Sequence, residues 1–411
     1  MSHIKDTNIR ARDSYSLDAA GRFRTSGPEV TFETKLINQD KDPLDWNEDL
    51  ISGAGISGST PTATAPYVDI ISTTPSPGRF ARATFKRFNL QGGKSIQITI
   101  GGVLELSGVT VTGCVRSIGA FGDADGMLFQ SDAGAIRVII RRNSTDTVVE
   151  QANWNLDTMD GNGPSGITID FSLLQNFLID FAWPGRVRYG LVIDGVIFYV
   201  HQFVTLNVST IPLTDTSNCP IRYELEVTID SGECSMRCTT ASVIIDGKFD
   251  DLGIVRYISS DNATVNLFTQ NVSYAILALR LKTTALGTRI RITNISVLIE
   301  DTQNTLEWFL MFNPIVAGPF VFTGLADSAI EFARGTTANV ITGGVKVFGG
   351  YVASGANAQG AETFATELRF VQERLGVAID GTRDEVVLAA KPIAGGSNLD
   401  AQGSLTWLEQ V

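Results

Sequence analysis

Histidine is the scarcest of the residues that commonly carry chemistry in this sequence. The 411 residues include two histidines, His3 and His201, although enzymes use histidine more often than any other residue as a general acid or base. His3 also lies close to the start of the chain, a position that predicts a poorly ordered terminus. The composition argues against enzymatic chemistry, and we expect a non-enzymatic protein.

Cysteine is also sparse. The four cysteines are Cys114, Cys219, Cys234 and Cys238, too few and too unevenly spaced for a disulfide scaffold in a chain of this length. The Cys234-x3-Cys238 step lacks the second pair or nearby histidine of a zinc site. We therefore predict four free thiols carried on strands, no metal site and no cofactor.

Charge and long apolar runs set further limits. Charged residues make up 18% of the chain and the net charge is -12, so the protein repels phosphate backbones, and we expect no nucleic-acid partner. The first residues lack the apolar core of a secretion signal, and the sequence contains no run of 18 apolar residues. We expect a chain that is made in the cytosol, stays soluble and does not insert into a membrane.

The residues that are abundant favour strands. Forty glycines, 13 prolines and 22 phenylalanines occur in short apolar runs separated by turn dipeptides, which is typical of an all-β protein. Ile96, Ile98 and Ile100 alternate with polar neighbours as in a half-buried strand, and Asp194-Gly195 between two apolar runs predicts a tight hairpin. The predicted fold is an antiparallel β-sandwich or jelly roll.

The texture of the sequence changes along the chain and suggests three segments. Residues 1–77 are predicted to form an extended N-terminal arm that ends in a strap rich in Gly, Ser, Thr and Pro. Residues 78–300 are predicted to form the sandwich, and residues 301–411 a smaller C-terminal β domain. The aromatic residues of the arm are the candidate assembly contacts: Tyr15, Phe23, Phe32 and Trp46.

The most polar loop of the sequence is WNLDTMDGNGPSG, at residues 154–166. Trp154, Asp157, Asp160 and Asn162 make it a candidate ligand-binding loop, since carboxylate and amide oxygens are the ligands of calcium. The spacing differs from that of a regular calcium loop, and Asp, Asn and Gly are equally the residues of tight turns. The sequence favours a structural turn over a cation site.

His201 lies on a predicted strand, VIFYVHQF. A regular strand places it on one face with Ile197 and Tyr199, whereas a bulge would move it to the opposite face. We expect it to act in packing and hydrogen bonding. Asp170, Asp180 and Asp194 lie near strand ends, where paired carboxylates for glycoside hydrolysis would occur, but the sequence favours solvated or turn residues at these positions.

Two stretches of the sequence are distinctive when they are taken together. They are RARDSYSLDAAGRFRTSGPEVTFETKLINQDKDPLDWNEDLISGAG and WNLDTMDGNGPSGITIDFSLLQNFLIDFAWPGRVRYGLVIDGVIFYVHQF. Within residues 10–240 they include the motifs W-N-x-D, D-G-x-G-P-S-G, G-R-V-R and D-G-x-x-x-Y-x-H-x-F. As a set, these are similar to a family of β-rich, largely uncharacterised structural proteins of tailed bacteriophages. The resemblance implies a virion context and no particular chemistry.

Three functions follow as hypotheses. The first is a structural virion protein, in the head, tail, baseplate or fibre, that assembles through its arm with other copies of itself and with other virion proteins. The second is a lectin-like module that recognises host glycan, and the third is a glycan-cleaving enzyme of the same architecture. The first is the leading prediction, with the virion as the expected location.

Overall fold

The structure is a computed structural model of the chain. It describes residues 28–36, 39–43, 45–73, 76–89, 94–106, 111–216, 218–229, 232–247, 253–261, 263–286, 288–355, 360–365, 375–379, 381–394 and 399–410. These residues form 28 β-strands and one short 3-10 helix, Gln151–Asn153, and every strand pair is antiparallel. The all-β prediction is confirmed.

The chain divides into two compact units, Met1–Asp250 (unit 1) and Asp251–Val411 (unit 2). The sequence instead placed boundaries at residues 78 and 301, and both differ from the structure. Residues 254–299 belong to unit 2 because each of their strands pairs with a strand that lies after residue 300. Residues 28–77 belong to unit 1 because they add strands to its sheets. Pairing partners this distant in sequence leave no local signal.

Unit 1 is a sandwich of two sheets. The strands of sheet A, from edge to edge, are β13 (Val196–Val204), β12 (Arg186–Ile193), β11 (Gln175–Ala182), β6 (Ser95–Val103), β15 (Ser235–Asp246), β4 (Val68–Ser72) and β3 (Ile56–Gly58), with β1 (Pro28–Thr34) also paired to β15. The strands of sheet B are β10 (Thr145–Glu150), β9 (Ala135–Arg142), β8 (Gly126–Asp132), β7 (Cys114–Phe121), β14 (Asn218–Val227), β5 (Gly78–Asn89) and β2 (Trp46–Ser52). One continuous hydrophobic core fills the space between them.

Two sequence signals locate parts of this sandwich correctly. Ile96, Ile98 and Ile100 all point into the core and are at most 2% exposed. Asp194 and Gly195 join β12 to β13 with φ angles of 51° and 76°, the positive values that a two-residue hairpin of this hand requires. Alternation and turn chemistry are local properties, so the sequence specifies them.

Two buried tyrosines tie the sheets of unit 1 together in opposite directions. Tyr189 of sheet A donates its hydroxyl hydrogen to the carbonyl oxygen of Ile139 in sheet B at 2.6 Å. Tyr223 of sheet B donates to the carbonyl oxygen of Gly101 in sheet A at 2.8 Å. Burial raises the pKa of both phenols well above the usual value. Each hydroxyl therefore stays protonated and serves as a donor across the core.

The predicted arm is wrong for residues 28–77. Strand β1 pairs with β15, and β2 pairs with β5. The side chains of Phe32 and Trp46 are 8% and 4% exposed, and their rings meet edge to face at 6.3 Å. These two rings, which suggested assembly contacts, fill the sandwich interior, because burial of large rings stabilises the fold. Tyr15 and Phe23 lie outside the described residues.

Unit 2 is a second sandwich. Sheet C contains, in order, β16 (Ile254–Ser259), β28 (Leu399–Gln410), β19 (Arg289–Ile299) and β26 (Gly360–Ala365), with β17 (Val265–Leu267) also paired to β28. Sheet D contains β22 (Thr323–Gly324), β23 (Ile330–Arg334), β18 (Tyr274–Leu281), β27 (Glu385–Ala394), β20 (Thr305–Phe312) and β25 (Val345–Ala353). The short strands β21 (Ile315–Val316) and β24 (Ile341–Thr342) pair with each other.

The two faces of sheet D are both covered. One face packs on the core that it shares with sheet C. The other face presents alanines, among them Ala275, Ala278 and Ala389, and it is covered by Val316, Phe320 and Phe322. Small side chains let this covering segment approach the sheet closely. No comparable apolar layer accompanies the outer face of sheet C among the described residues.

Candidate functional site

Two buried side chains, Trp154 and Asp157, hold the loop at residues 154–166 in place. Trp154 is 5% exposed and packs against Phe129. The two carboxylate oxygens of Asp157, which is 6% exposed, accept the backbone N–H groups of Met159 at 2.9 Å and Ser165 at 2.8 Å. Both oxygens are therefore engaged in closing the loop, as in a structural turn.

Of the four candidate residues of this loop, the two at its tip reach the surface. Asp160 and Asn162 are exposed, and one oxygen of Asp160 accepts the Thr158 hydroxyl at 2.6 Å and the Asn162 N–H at 3.0 Å. These hydrogen bonds, with the Thr158 hydroxyl contributing most, lower the pKa of Asp160. The four predicted residues thus do not converge on one surface, since Trp154 and Asp157 lie in the interior. Ligand binding by the tip stays a prediction.

The start of the loop instead covers the outer edge of β13. The N–H groups of Leu156 and Asp157 donate to the carbonyl oxygen of Val200 at 3.1 and 3.0 Å. The side-chain amide of Asn155 donates to the carbonyl oxygen of Gln202 and accepts its N–H, each at 2.9 Å. This amide imitates a neighbouring strand and satisfies main-chain groups that an edge would leave open.

His201 points inward because of a bulge. In the pairing of β12 with β13, Tyr189 lies opposite His201 and Gly190 opposite Tyr199, so Val200 is the extra residue. His201 Nδ1 accepts the backbone N–H of Asn155 at 3.1 Å, and the imidazole meets the Phe203 ring edge to face. Burial lowers the pKa of His201 to about 4. The predicted packing and hydrogen-bonding role is confirmed, and the regular-strand placement beside Tyr199 is wrong.

The outer face of sheet A carries a compact polar network around Asp180. Arg188 forms an ion pair with the Asp180 carboxylate, and the Tyr199 hydroxyl donates to the same oxygen at 2.9 Å. The Arg188 guanidinium also lies 4.1 Å from the centre of the Tyr199 ring. Gly190 provides the room, because a Cβ there would come within 3.3 Å of that ring. Asp180 and Arg188 are 0% and 5% exposed. The polar groups of this network are therefore buried and engaged with one another.

Asp170 is likewise occupied locally. One oxygen of its carboxylate accepts the N–H and the hydroxyl of Ser172 at 2.9 and 2.6 Å, and these bonds lower the pKa of Asp170. Asp194 lies in the hairpin turn. Each of the three candidate carboxylates therefore has a local structural role. Asp170 bonds to Ser172, Asp180 bonds to Arg188 and Tyr199, and Asp194 lies in a hairpin turn.

A different surface, on sheet C, has the character of a binding site. Along β28, Leu399, Ala401, Leu405 and Trp407 point into the core. The residues between them, Gln402, Ser404, Thr406 and Leu408, face outward and are partly exposed. This alternation follows directly from the two-residue period of a strand.

Neighbouring strands extend this surface sideways. The pairing of β16, β28 and β19 places Tyr257, Thr406 and Asn294 in one row across the sheet, and Ser259, Ser404 and Ser296 in the next row. We call these six residues the Tyr257 face. Residues paired directly across strands project on the same side of a sheet, and the strands are about 4.8 Å apart. The face therefore presents an aromatic ring beside five hydroxyl and amide side chains.

Tyr257 is the prominent element of this face. It is 59% exposed, and its neighbour on the same side, Val255, is 64% exposed. The backbone beneath it is well held: Thr293 donates its hydroxyl hydrogen to the Thr406 carbonyl oxygen at 3.3 Å, and Arg334 donates to the Ser259 carbonyl oxygen at 3.0 Å. The ring is thus displayed on a rigid sheet, in an arrangement that suits recognition of a flat, hydroxyl-rich ligand.

The sequence analysis did not identify the Tyr257 face. A signal existed, since residues 399–408 alternate between apolar and polar types. The partners of this strand, however, lie about 110 to 150 positions earlier in the chain, as the register shows. The composite surface therefore becomes visible only when the strands are paired.

Among the described residues no group of three or more His, Cys, Asp and Glu side chains is arranged to hold a metal ion. All four cysteines are buried, and, as the sequence predicted, none of them forms a disulfide. No helix within the described ranges has the length and apolar character needed to cross a membrane.

Comparison with known proteins yields structural similarity alone. No protein-family model matches the chain, and no curated protein matches its sequence. Among solved structures, an endo-1,3-beta-glucanase from Streptomyces sioyaensis is similar with a TM-score of 0.36 and 9% identity, over 54% of this chain and 98% of that one.

Two further solved structures have other roles. Winged bean acidic lectin gives a TM-score of 0.30 at 6% identity, over 54% of this chain and 99% of the lectin. The CBM2 module of the evolved Dit from Lactobacillus casei BL23 phage J-1 gives 0.35 at 6% identity, over 55% of this chain and 99% of the module. These proteins include an enzyme, a lectin and a phage module, and such remote likeness carries no argument about function.

Proposed function

We propose that this chain is a carbohydrate-binding, non-enzymatic structural protein of a phage virion, and that it binds glycan on the Tyr257 face. The observation that carries the binding proposal is the exposure of Tyr257, 59%, within a row of hydroxyl and amide side chains on a rigid sheet. The virion context rests on the sequence resemblance over residues 10–240.

The chemistry of the face fits a neutral sugar. A pyranose has an apolar face of C–H groups, which packs on an aromatic ring, and a rim of hydroxyls that both donate and accept hydrogen bonds. The side chains of Thr406, Ser404 and Asn294 each offer both hydrogen-bond donors and hydrogen-bond acceptors. None of the six residues of the face is a carboxylate, whereas glycoside hydrolysis generally requires a pair of them flanking the bond. The face therefore supports binding without cleavage.

The decisive experiment is glycan-array screening of the full chain, followed by calorimetric titration of the best ligand. Tyr257→Ala should weaken binding about 5- to 30-fold, because loss of one stacking contact costs on the order of 1–2 kcal/mol. Tyr257→Phe should retain most of the affinity, since it keeps the ring.

Tyr351→Ala is the matched control. Tyr351 is 68% exposed on β25 of sheet D. Tyr351→Ala therefore removes a comparably exposed tyrosine of the same unit that is not part of the Tyr257 face. Equal affinity of Tyr257→Ala and the unsubstituted chain would contradict the site. Absence of any glycan ligand for the full chain would contradict the proposed function.

Assembly is the second part of the proposal. The predicted arm contacts that remain open are Tyr15 and Phe23, because Phe32 and Trp46 are buried in unit 1. The full chain should show concentration-dependent assembly in light scattering, and the double substitution Tyr15→Ser and Phe23→Ser should weaken it while leaving the circular dichroism spectrum unchanged. A full chain that stays monomeric at every concentration would remove the support for self-assembly.

A further inference from the structure

Two of the four cysteines meet across the sandwich of unit 1. Cys114 is the first residue of β7 in sheet B, and Cys234 immediately precedes β15 in sheet A. Both are 0% exposed and belong to the core that the two sheets share. They are 120 positions apart in sequence (234 minus 114), so only the fold brings them together.

The thiols are in direct contact. The side chains of Cys114 and Cys234 form a hydrogen bond, and this bond, together with burial, raises the pKa of Cys114 above its usual range. Cys114 therefore persists as a neutral thiol in the folded protein under reducing conditions, and neither of the two cysteines is part of a disulfide in the structure.

The backbones on both sides of the pair are fixed. The carbonyl oxygen of Cys234 accepts the N–H of Ser72 at 2.8 Å, and the carbonyl oxygen of Cys114 accepts the N–H of Ala133 at 3.0 Å. Arg116 donates from Nε to the carbonyl oxygen of Ser235 at 2.8 Å, which links the strand after Cys114 to the strand after Cys234. The two sulfur atoms are thus held near each other by their own sheets.

The other two cysteines have different surroundings. The Cys219 thiol donates to the carbonyl oxygen of Asp125 at 3.7 Å. Cys238 lies within β15 at 1% exposure, and burial is the main cause that raises its pKa. They serve as internal references for the reactivity of buried thiols in this unit.

We propose that Cys114 and Cys234 form a disulfide between sheets A and B when the protein meets a low-molecular-weight disulfide such as oxidised glutathione. One cysteine, as its thiolate, attacks a sulfur of the oxidant and displaces one glutathione thiolate, which takes up the proton that the cysteine lost. The second cysteine then attacks the mixed disulfide and displaces the second glutathione. Two protein thiols are oxidised by two electrons, and one glutathione disulfide is reduced to two thiols.

Burial determines how the reaction proceeds. Exchange requires a thiolate and access to it, so the cross-link should form slowly in the native protein and faster when mild urea increases local opening. Once formed, it closes a loop of about 120 residues, and long loops lose the most conformational entropy in the unfolded chain. The thermal midpoint of unit 1 should rise by about 5–10 °C.

The test uses the full chain incubated with oxidised glutathione, then acid-quenched, denatured and alkylated without reduction. The expected product has lost two hydrogen atoms per chain, carries alkyl groups on Cys219 and Cys238 alone, and yields one cross-linked peptide pair containing Cys114 and Cys234. Four alkylated cysteines after prolonged incubation, a linkage between any other pair, or a linkage between chains would overturn the proposal.

Variants add a second readout. Cys219→Ala should still form the cross-link and still show the rise in thermal midpoint, whereas Cys114→Ala should show neither. If Cys114→Ala does not fold, the alkylation pattern of the unsubstituted chain decides the proposal by itself.

Discussion

Two edge strands of this protein, β13 in unit 1 and β16 in unit 2, each carry an outward-facing tyrosine and use it differently. Tyr199 of β13 donates to Asp180 and lies against Arg188, and the edge of its strand is covered by Asn155. Tyr257 of β16 is 59% exposed and sits in a row of hydroxyl and amide groups. A tyrosine whose hydroxyl and ring are already engaged stabilises the fold, whereas an exposed one is available to a ligand.

The same contrast extends to the carboxylates and amides around each tyrosine. On sheet A the polar groups beside Tyr199 are buried and paired with one another. On sheet C the neighbours Thr406 and Asn294 are partly exposed. Polarity alone therefore does not identify a binding surface, since a buried polar network has little capacity left for a new partner.

The largest expected effect is on the Asp180 network. Asp180→Ala should lower the free energy of unfolding of unit 1 by about 3–5 kcal/mol, because it leaves the buried guanidinium of Arg188 without its counter-charge. Urea denaturation followed by tryptophan fluorescence measures this loss. Tyr257→Ala is the control from the other edge and should change stability by less than about 0.5 kcal/mol. Similar losses for the two variants would refute the distinction between the edges.

A smaller loss of stability is expected at low pH, where His201 on β13 becomes protonated. Burial lowers the pKa of His201 in the folded protein to about 4, from the usual value of 6.5, so between these pH values the unfolded chain holds a proton that the folded chain does not. The stabilisation is fully present above pH 6.5 and is lost as the pH falls toward 4, by at most about 3 kcal/mol.

His201→Gln isolates this contribution. Unfolding free energies of the two proteins, measured at matched pH values from 7 to 4, should show a steeper decline for the unsubstituted chain. Protection of the Asn155 N–H, which donates to His201, from hydrogen exchange should fall in the same window when it is measured relative to the intrinsic exchange rate at each pH. Parallel pH profiles for the two proteins would show that His201 does not titrate as its burial requires.

Local features of this fold were predictable from the sequence. The alternation of Ile96, Ile98 and Ile100 and the hairpin at Asp194-Gly195 both depend on neighbouring residues, and the structure confirms them. The bulge at Val200 was not predictable, because it is defined by the register with β12. It reverses the face of His201, which a regular alternation would place beside Tyr199.

The larger errors came from long-range pairing. Residues 28–34 read as part of an arm because their partner, β15, lies about 210 positions later in the chain. The boundary at residue 301 failed because the strands within residues 254–299 pair with strands after residue 300, such as β16 and β19 with β28. The Tyr257 face has the same origin, since its three strands come from distant parts of the sequence. The local sequence predicts each of these strands, but the Tyr257 face exists only once the strands are paired.

The position of β28 at the centre of sheet C has a consequence for synthesis. This strand pairs with β16, β17 and β19, yet it is the last of them to leave the ribosome. Unit 1 has all its strands once residue 246 has emerged, so it can fold while translation continues. In unit 2, β16 and β17 pair with β28, so they stay unpaired until residue 410 is made. During that interval the nascent chain is most exposed to misfolding and aggregation.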